Sequence, residues 1–280
     1  MNNLGFLLAL GAAIAWGSYA VPFRKSKTEN LIQYQAVMTI GILLSGFIFS
    51  LIIGYPISFN IYGLLSGFLW AIANFISLSA FANLGISKAA PILSSLVIIS
   101  TFLWGIFAFN ELPTGIIMAS VGILVIVVGV IIVSTINSTK SLNTKKGLVS
   151  AVLAGLIFGS QLVPLKIGKV EPSDFFFSST MGIFIIGMII FLLKRAQIEK
   201  KAVRMSLFSG IIWNVGNLLS IIAVSLIGIA KSIPLTQLAL LVAVLWGVFY
   251  FKEVRSRKDI LQVLIGAFVL LAGVVVLSLS

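Results

Sequence analysis

The chain contains neither cysteine nor histidine in its 280 residues. The first absence removes disulfides, thiolate nucleophiles and iron–sulfur ligation. The second removes the commonest proton shuttle and metal ligand. Charge is scarce too, at 9% of residues, against about 25% in an average soluble domain. The seven acidic residues are Glu29, Glu111, Glu171, Asp174, Glu199, Glu253 and Asp259, and each falls between apolar runs or at the end of one. No carboxylate therefore stands in the middle of an apolar run. This inventory leads us to expect no metal, no cofactor and no enzymatic activity.

What the chain does have is apolar surface. Hydrophobic residues make up 60% of it and its mean hydropathy is +1.18. One soluble core cannot bury that much, so the lipid bilayer is the expected solvent. Runs of spanning length lie at about residues 4–22, 31–54, 61–84, 89–109 and 114–136, then 147–165, 174–193, 206–228, 232–251 and 259–279. Each is near the roughly 20 residues that a helix needs to cross the hydrocarbon. Turn or charge chemistry marks the breaks, as in Arg24-Lys25-Ser26-Lys27, Gly54-Tyr55-Pro56, Asn110-Glu111-Leu112-Pro113 and Arg255-Ser256-Arg257-Lys258. The expected fold class is an all-α integral membrane protein with ten transmembrane helices.

The net charge of +12 sits in short clusters between the runs. Such clusters are topology signals, and no nucleic-acid partner is expected from them. Of the 19 Lys and Arg residues, 16 follow odd-numbered spans, while the other side holds only Lys166, Lys169 and Lys231. The odd-numbered loops are thus expected in the cytoplasm, and both termini of this multi-pass cell-membrane protein outside it. The first run lacks a basic n-region and a small-residue cleavage site, so it is read as a span and not as a cleaved signal.

The sequence is also written twice. Ser66 to Pro91 and Ser209 to Pro234 align without a gap, matching Trp70 with Trp213, Asn74 with Asn217, Ser77 with Ser220, Gly85 with Gly228 and Lys88 with Lys231. Gly17-Ser18-Tyr19-Ala20-Val21-Pro22-Phe23-Arg24 recurs as Gly159-Ser160-Gln161-Leu162-Val163-Pro164-Leu165-Lys166, and Trp104 through Glu111 recurs as Trp246 through Glu253. Aliphatic positions drift while polar, aromatic and Gly/Pro positions are kept, as in a duplicated unit. Five spans per copy is an odd number, so the second copy enters the membrane in the opposite sense. The expected divisions are residues 1–136 for the first repeat, 137–146 for the linker NSTKSLNTKK and 147–280 for the second, inverted repeat.

Transporter sites lie at repeat interfaces, which makes the kept polar residues the candidates. Trp70, Asn74, Ser77 and Phe81 share one helical face, as do Trp213, Asn217 and Ser220, with Asn214 beside them. A carboxamide and an indole plate suit the hydroxyl edge and C–H face of a sugar ring. The same residues can equally serve as hydrogen-bonding glue between helices. Ser18, Tyr19, Ser160 and Gln161 lie one turn before Pro22 and Pro164, where a proline is expected to kink the span. Gln237, beside Thr236, follows Pro234, and Ser94 and Ser95 follow Pro91, where a serine can bond back to a carbonyl. Lys88 and Lys231 either snorkel to the headgroups, the reading favoured here, or hold an anion or counter-ion. For Glu111 and Glu253 a salt bridge or helix-end role is expected over titration at a cavity mouth. Gly122 and Gly129, like Gly266 and Gly273, are spaced one heptad apart. These stripes allow close helix packing, within one monomer or in a homodimer.

With two inverted five-helix halves, each of the EamA-like kind, the chain resembles the drug/metabolite transporter superfamily. The paired SGFLWAIANF and SGIIWNVGNL segments, the opening ALGAAIAWGSYAVP and the Glu253-Val254-Arg255 exit resemble the glucose/ribose porter family of bacterial sugar uptake proteins. The resemblance implies uptake of a small polyhydroxylated solute by alternating access, by facilitated diffusion or with proton coupling. It also implies a central cavity lined by spans 1, 3, 4, 6, 8 and 9. The rival on the same fold is an exporter of amino acids or small, anionic metabolites. A non-transporting membrane protein is disfavoured, having no evident use for a polar constellation kept in both copies.

Overall fold

A computed structural model describes residues 3–109, 115–135, 142–194, 200–227, 235–236 and 238–278. Glu111, Lys231 and Gln237 lie outside the described residues. Those described are helical, with no strand among them: α1 (Asn3–Ser18), α2 (Ala20–Ser26), α3 (Leu31–Ile53), α4 (Ile61–Leu84), α5 (Ile86–Phe109) and α6 (Ile116–Ser134), followed by α7 (Thr144–Gly159), α8 (Val163–Gly168), α9 (Pro172–Lys194), α10 (Lys200–Ile227), α11 (Ala239–Leu245) and α12 (Arg257–Ser278). A π-helical turn, Trp246–Tyr250, continues α11. Counting α1–α2 and α7–α8 as single spans, 8 helices are long and apolar enough to cross a membrane. Shorter apolar helices cover Ile117–Val133 and Ala239–Tyr250. The chain is a multi-pass membrane protein.

Local chemistry sets the boundaries. Asn30, Asn60 and Asn143 each stand before a helix and accept a backbone N–H from its first turn, at 3.0, 2.9 and 3.0 Å. Pro172 opens α9, where its missing N–H costs nothing, and Asp174 complements the positive end of that helix. Gly54 ends α3 with φ 72°, a left-handed cap that a residue with a Cβ adopts at a cost.

The expected kinks are present. Helix α1 ends at Ser18 and α2 restarts at Ala20, three residues before Phe23; α7 ends at Gly159 and α8 restarts at Val163. A proline ring cannot supply an N–H to the turn before it and crowds the carbonyl there. Pro91, by contrast, lies inside a continuous α5, and Ser95 donates its hydroxyl to the Pro91 carbonyl.

The helices pair in a reciprocal pattern. Helix α1 packs on α10, and α7 on α4; α4 packs on α9, and α10 on α3; α5 packs on α7, and α11 on α1; α3 packs on α9. Helices α6 and α12 pack on each other along the glycine stripes. A Cβ on Gly129 would crowd Leu270, and one on Gly273 would crowd Ile126 and the Gly122 carbonyl. Both stripes are thus occupied inside the chain.

The Ser-Gly that opens the repeated segment is a crossing point in both copies. At Gly67 a Cβ would collide with the Ser179 carbonyl of α9, and at Gly182 with the Leu64 carbonyl. At Gly210 it would collide with the Met38 carbonyl of α3, and at Gly41 with the Leu207 carbonyl. Small residues let backbones approach this closely where no hydrophobic effect drives helices together. Gly67→Ala and Gly210→Ala are therefore each expected to destabilise the fold by about 1–3 kcal/mol, the usual cost of overpacking. The expected readout is a lower thermal midpoint and a smaller monodisperse fraction in detergent. Unchanged melting in both variants would disprove the crossing assignment.

Candidate functional site

The two copies of the repeated tryptophan meet. Trp70 of α4 and Trp213 of α10 lie with ring centroids 4.2 Å apart and planes tilted by 47°, and both are buried. Phe158 of α7 flanks Trp70 at 5.9 Å. On the other side, the Trp16 indole donates to the Trp213 carbonyl at 3.2 Å. The aromatic centre is thus built from the first and third spans of each copy.

On either side of that pair the repeated polar residues differ. Helix α4 runs from Trp70 toward the end of the bundle that carries Arg24 and Arg255, here called the basic end. Along it Asn74 and Ser77 are fully buried. The Asn74 amide donates to Gln35 Oε1 at 2.6 Å, Gln35 Nε2 donates to the Ala71 carbonyl at 3.1 Å, and Ser77 Oγ donates to the Asn74 carbonyl at 2.8 Å. Helix α10 runs from Trp213 toward the opposite end, and there Asn217 and Ser220 remain partly exposed. Asn214, on the neighbouring face, is sealed: its amide donates to the Ile42 carbonyl at 3.1 Å and to Ser45 Oγ at 3.0 Å.

A cavity of about 190 Å³ lies between α1, α5 and α11, lined by Trp16, Tyr19, Phe81, Ser94, Thr236 and Leu240 among others. Tyr19 meets Phe81 edge-on at 6.4 Å, and its hydroxyl faces Ser77. The walls thus offer aromatic edges with a few hydroxyls. The volume is below the roughly 300–1,000 Å³ of pockets for drug-sized ligands, a scale suited to one small solute.

Other candidates are drawn into the packing. Trp246 Nε1 donates to Ser18 Oγ at 2.9 Å, and Trp104 Nε1 donates to Ser160 Oγ at 2.7 Å. Both copies make the same bond across the halves. Gln161 lies half-buried in the break between α7 and α8. Lys88, the second residue after Ile86, is 5% exposed.

Glu253 takes up the role expected of it. Its carboxylate is fully buried at the N-terminus of α5, accepting the Ile86 N–H at 3.0 Å, the Ser87 N–H at 2.9 Å and the Ser87 hydroxyl at 2.8 Å. The Arg24 guanidinium lies 3.3 Å from Oε1 and donates to the Phe81 carbonyl at 3.2 Å. Gly85, at φ 82°, and Gly247 make room: a Cβ on either would press on that carboxylate, at 2.7 and 2.8 Å. The backbone turns at Lys252, φ 50°, and the Glu253 N–H closes on the Gly247 carbonyl at 3.0 Å.

Reading the sequence alone missed Gln35 and Arg24 as site residues. The signal for Gln35 was a polar pair, Gln33 and Gln35, at the head of an apolar run. For Arg24 it was the recurrence as Lys166.

Comparison with known proteins gives a consistent result. The family model described as sugar transport protein matches residues 7–280. The "Glucose uptake protein GlcU" of Bacillus subtilis (strain 168) is 24% identical over 99% of both chains. The "Probable glucose uptake protein GlcU" of Priestia megaterium is 26% identical over 99% of both chains. A solved structure described only as the crystal structure of a protein shares the fold, with a TM-score of 0.57 at 13% identity over 99% of this chain and 98% of the other. The chain belongs to the sugar transport protein family.

Proposed function

We propose that this chain takes up a single sugar, such as glucose or ribose, by alternating access between two inverted five-helix halves. It is a transport protein and not an enzyme. The observation that carries the mechanism is the unequal state of equivalent residues. At the basic end Asn74 and Ser77 are sealed, while their counterparts Asn217 and Ser220 are partly exposed. Ser209 donates to the Tyr19 carbonyl at the α1–α2 break, whereas its counterpart Ser66 is buried with no partner among the described residues. One end is closed and the other loosened, as an alternating-access carrier caught in one state requires.

The reciprocal helix pairing supports the inverted repeat, because each contact recurs when the two halves are exchanged. The charge asymmetry supports a cytoplasmic basic end, so this conformation is outward-facing with both termini outside. With both glycine stripes consumed within the chain, the working unit is read as a monomer. Among the described residues no carboxylate lines the cavity, which supports facilitated diffusion over proton coupling. The buried Lys88, near the cavity wall at Ile86 and Ala90, is the observation that favours an acidic cargo as the second reading.

Purified protein in liposomes should accumulate glucose or ribose without a pH gradient and ignore the corresponding sugar acids. Transport of the acids alone would overturn the choice of cargo, and uptake that needs a gradient would establish coupling.

The two repeated asparagines should separate. Asn74→Ala leaves the buried Gln35 carboxamide without its partner and should cost about 1–3 kcal/mol of stability, seen as reduced folded yield. Asn217→Ala should keep yield and melting unchanged while uptake falls at least tenfold. Equal yields and equal uptake in the two variants would refute the split.

A reporter active only in the cytoplasm, fused after Ser280, should be silent. Activity there would invert the orientation.

A further inference from the structure

Two voids approach each other at the basic end. The outer one, about 620 Å³ and open, is lined by Phe23, Arg24, Lys27, Asn83, Lys146 and Phe251 among others. The inner one is the cavity that contains Tyr19, Phe81 and Ile86 in its wall. Between them lies the Glu253 cluster. Arg24 faces the outer void and donates to the carbonyl of Phe81, which faces the inner one; Glu253 accepts from Ile86, which also faces the inner one. The cluster also crosses the halves, since Glu253 belongs to the second repeat and Arg24, Phe81, Ile86 and Ser87 belong to the first.

We propose that Arg24, Ser87 and Glu253 are the latch of the gate between the cavity and the basic end, and that their composition biases the resting protein toward closure there. The proposal rests on the transport reading above. The bias follows from how the two copies differ. Where the first repeat has Arg24 the second has Lys166, and where it has Ser87 the second has Ala230. A guanidinium fork serves a carboxylate and a carbonyl at once, whereas an ammonium is a single point charge. Alanine adds no hydroxyl. Lys166 also sits 4.5 Å over the Phe109 ring. A buried carboxylate needs all its partners to offset desolvation, so the better-equipped latch holds its end shut.

The test exploits the absence of native cysteine. Ala90→Cys places a thiol on the cavity wall one turn inward from Ser87, at a site 7% exposed; Ser94→Cys is a second reporter on the same wall. Ser256→Cys, exposed at the same end, is the control. A membrane-impermeant thiol reagent is applied to the cytoplasmic side of inside-out vesicles, with no sugar present. Arg24→Lys and Ser87→Ala, which rewrite the latch as its counterpart in the second repeat, each remove a charge-assisted hydrogen bond. Each should therefore raise labelling of the cavity thiol roughly tenfold, with the control unchanged. Labelling from the opposite face should fall. Unchanged cavity labelling in the double variant, or an equal rise from both faces, would overturn the latch. Because the readout needs no solute, a latch that responds in a protein that moves no sugar would refute the transport reading alone.

Discussion

Inside a bilayer a backbone group without a partner costs several kcal/mol, because no water is present to take it. Among the described residues, four backbone sites show polar side chains answering that constraint. At the break before Pro22 the Tyr19 carbonyl accepts from Ser209. The Pro91 carbonyl is met by Ser95. The amides that open α5 are met by Glu253, and the carbonyl of Phe81 near the end of α4 by Arg24. Two of these four partners come from the other half of the chain. Polar side chains thereby hold the two halves of the chain in register.

This double duty explains what was legible in the sequence and what was not. The prolines announced the breaks, because the missing N–H is a local property. The Ser-Gly pairs were visible as repeated positions, but that they mark crossings shows only in the packing of Gly67 and Gly210. The role of Glu253 followed from its place at a helix end. Pairings between helices distant in sequence were not legible. Trp246 with Ser18, Trp104 with Ser160 and Asn74 with Gln35 each join positions far apart in the chain. Ser18, Ser160 and Asn74 had been singled out as members of a site and the two tryptophans as repeated positions, but none as each other's partners. Arg24 was read as a topology signal because its cluster, Arg24-Lys25-Ser26-Lys27, is the kind that marks a cytoplasmic loop. Only the fold shows that its guanidinium turns inward while Lys25 and Lys27 stay exposed.

The copies keep Trp70 and Trp213 where the halves meet, while Arg24 and Ser87 at one end are replaced in the other copy. The Trp70–Trp213 contact and the α6–α12 pairing join equivalent positions of the repeated sequence. The latch residues do not: Arg24 and Ser87 differ from Lys166 and Ala230. A carrier with two identical ends would sit equally in both states. One whose ends differ by a few hydrogen bonds rests in one state and needs its solute to leave it.

The tryptophan pair at the centre carries a further implication. A contact between a residue and its own copy is isologous, and two separate, identical half-length chains could form it without any change of sequence. Crossings such as Gly67–Gly182 and Gly41–Gly210 would recur in that assembly in the same way. The distribution of lysine and arginine would not, because 16 of the 19 cations follow odd-numbered apolar runs, and two identical chains of five runs each would not divide them so. The packing of this protein is therefore compatible with two separate half-length chains, whereas its charge pattern is not. A single chain can give each half an end of its own, as Arg24 against Lys166 and Ser87 against Ala230 do here.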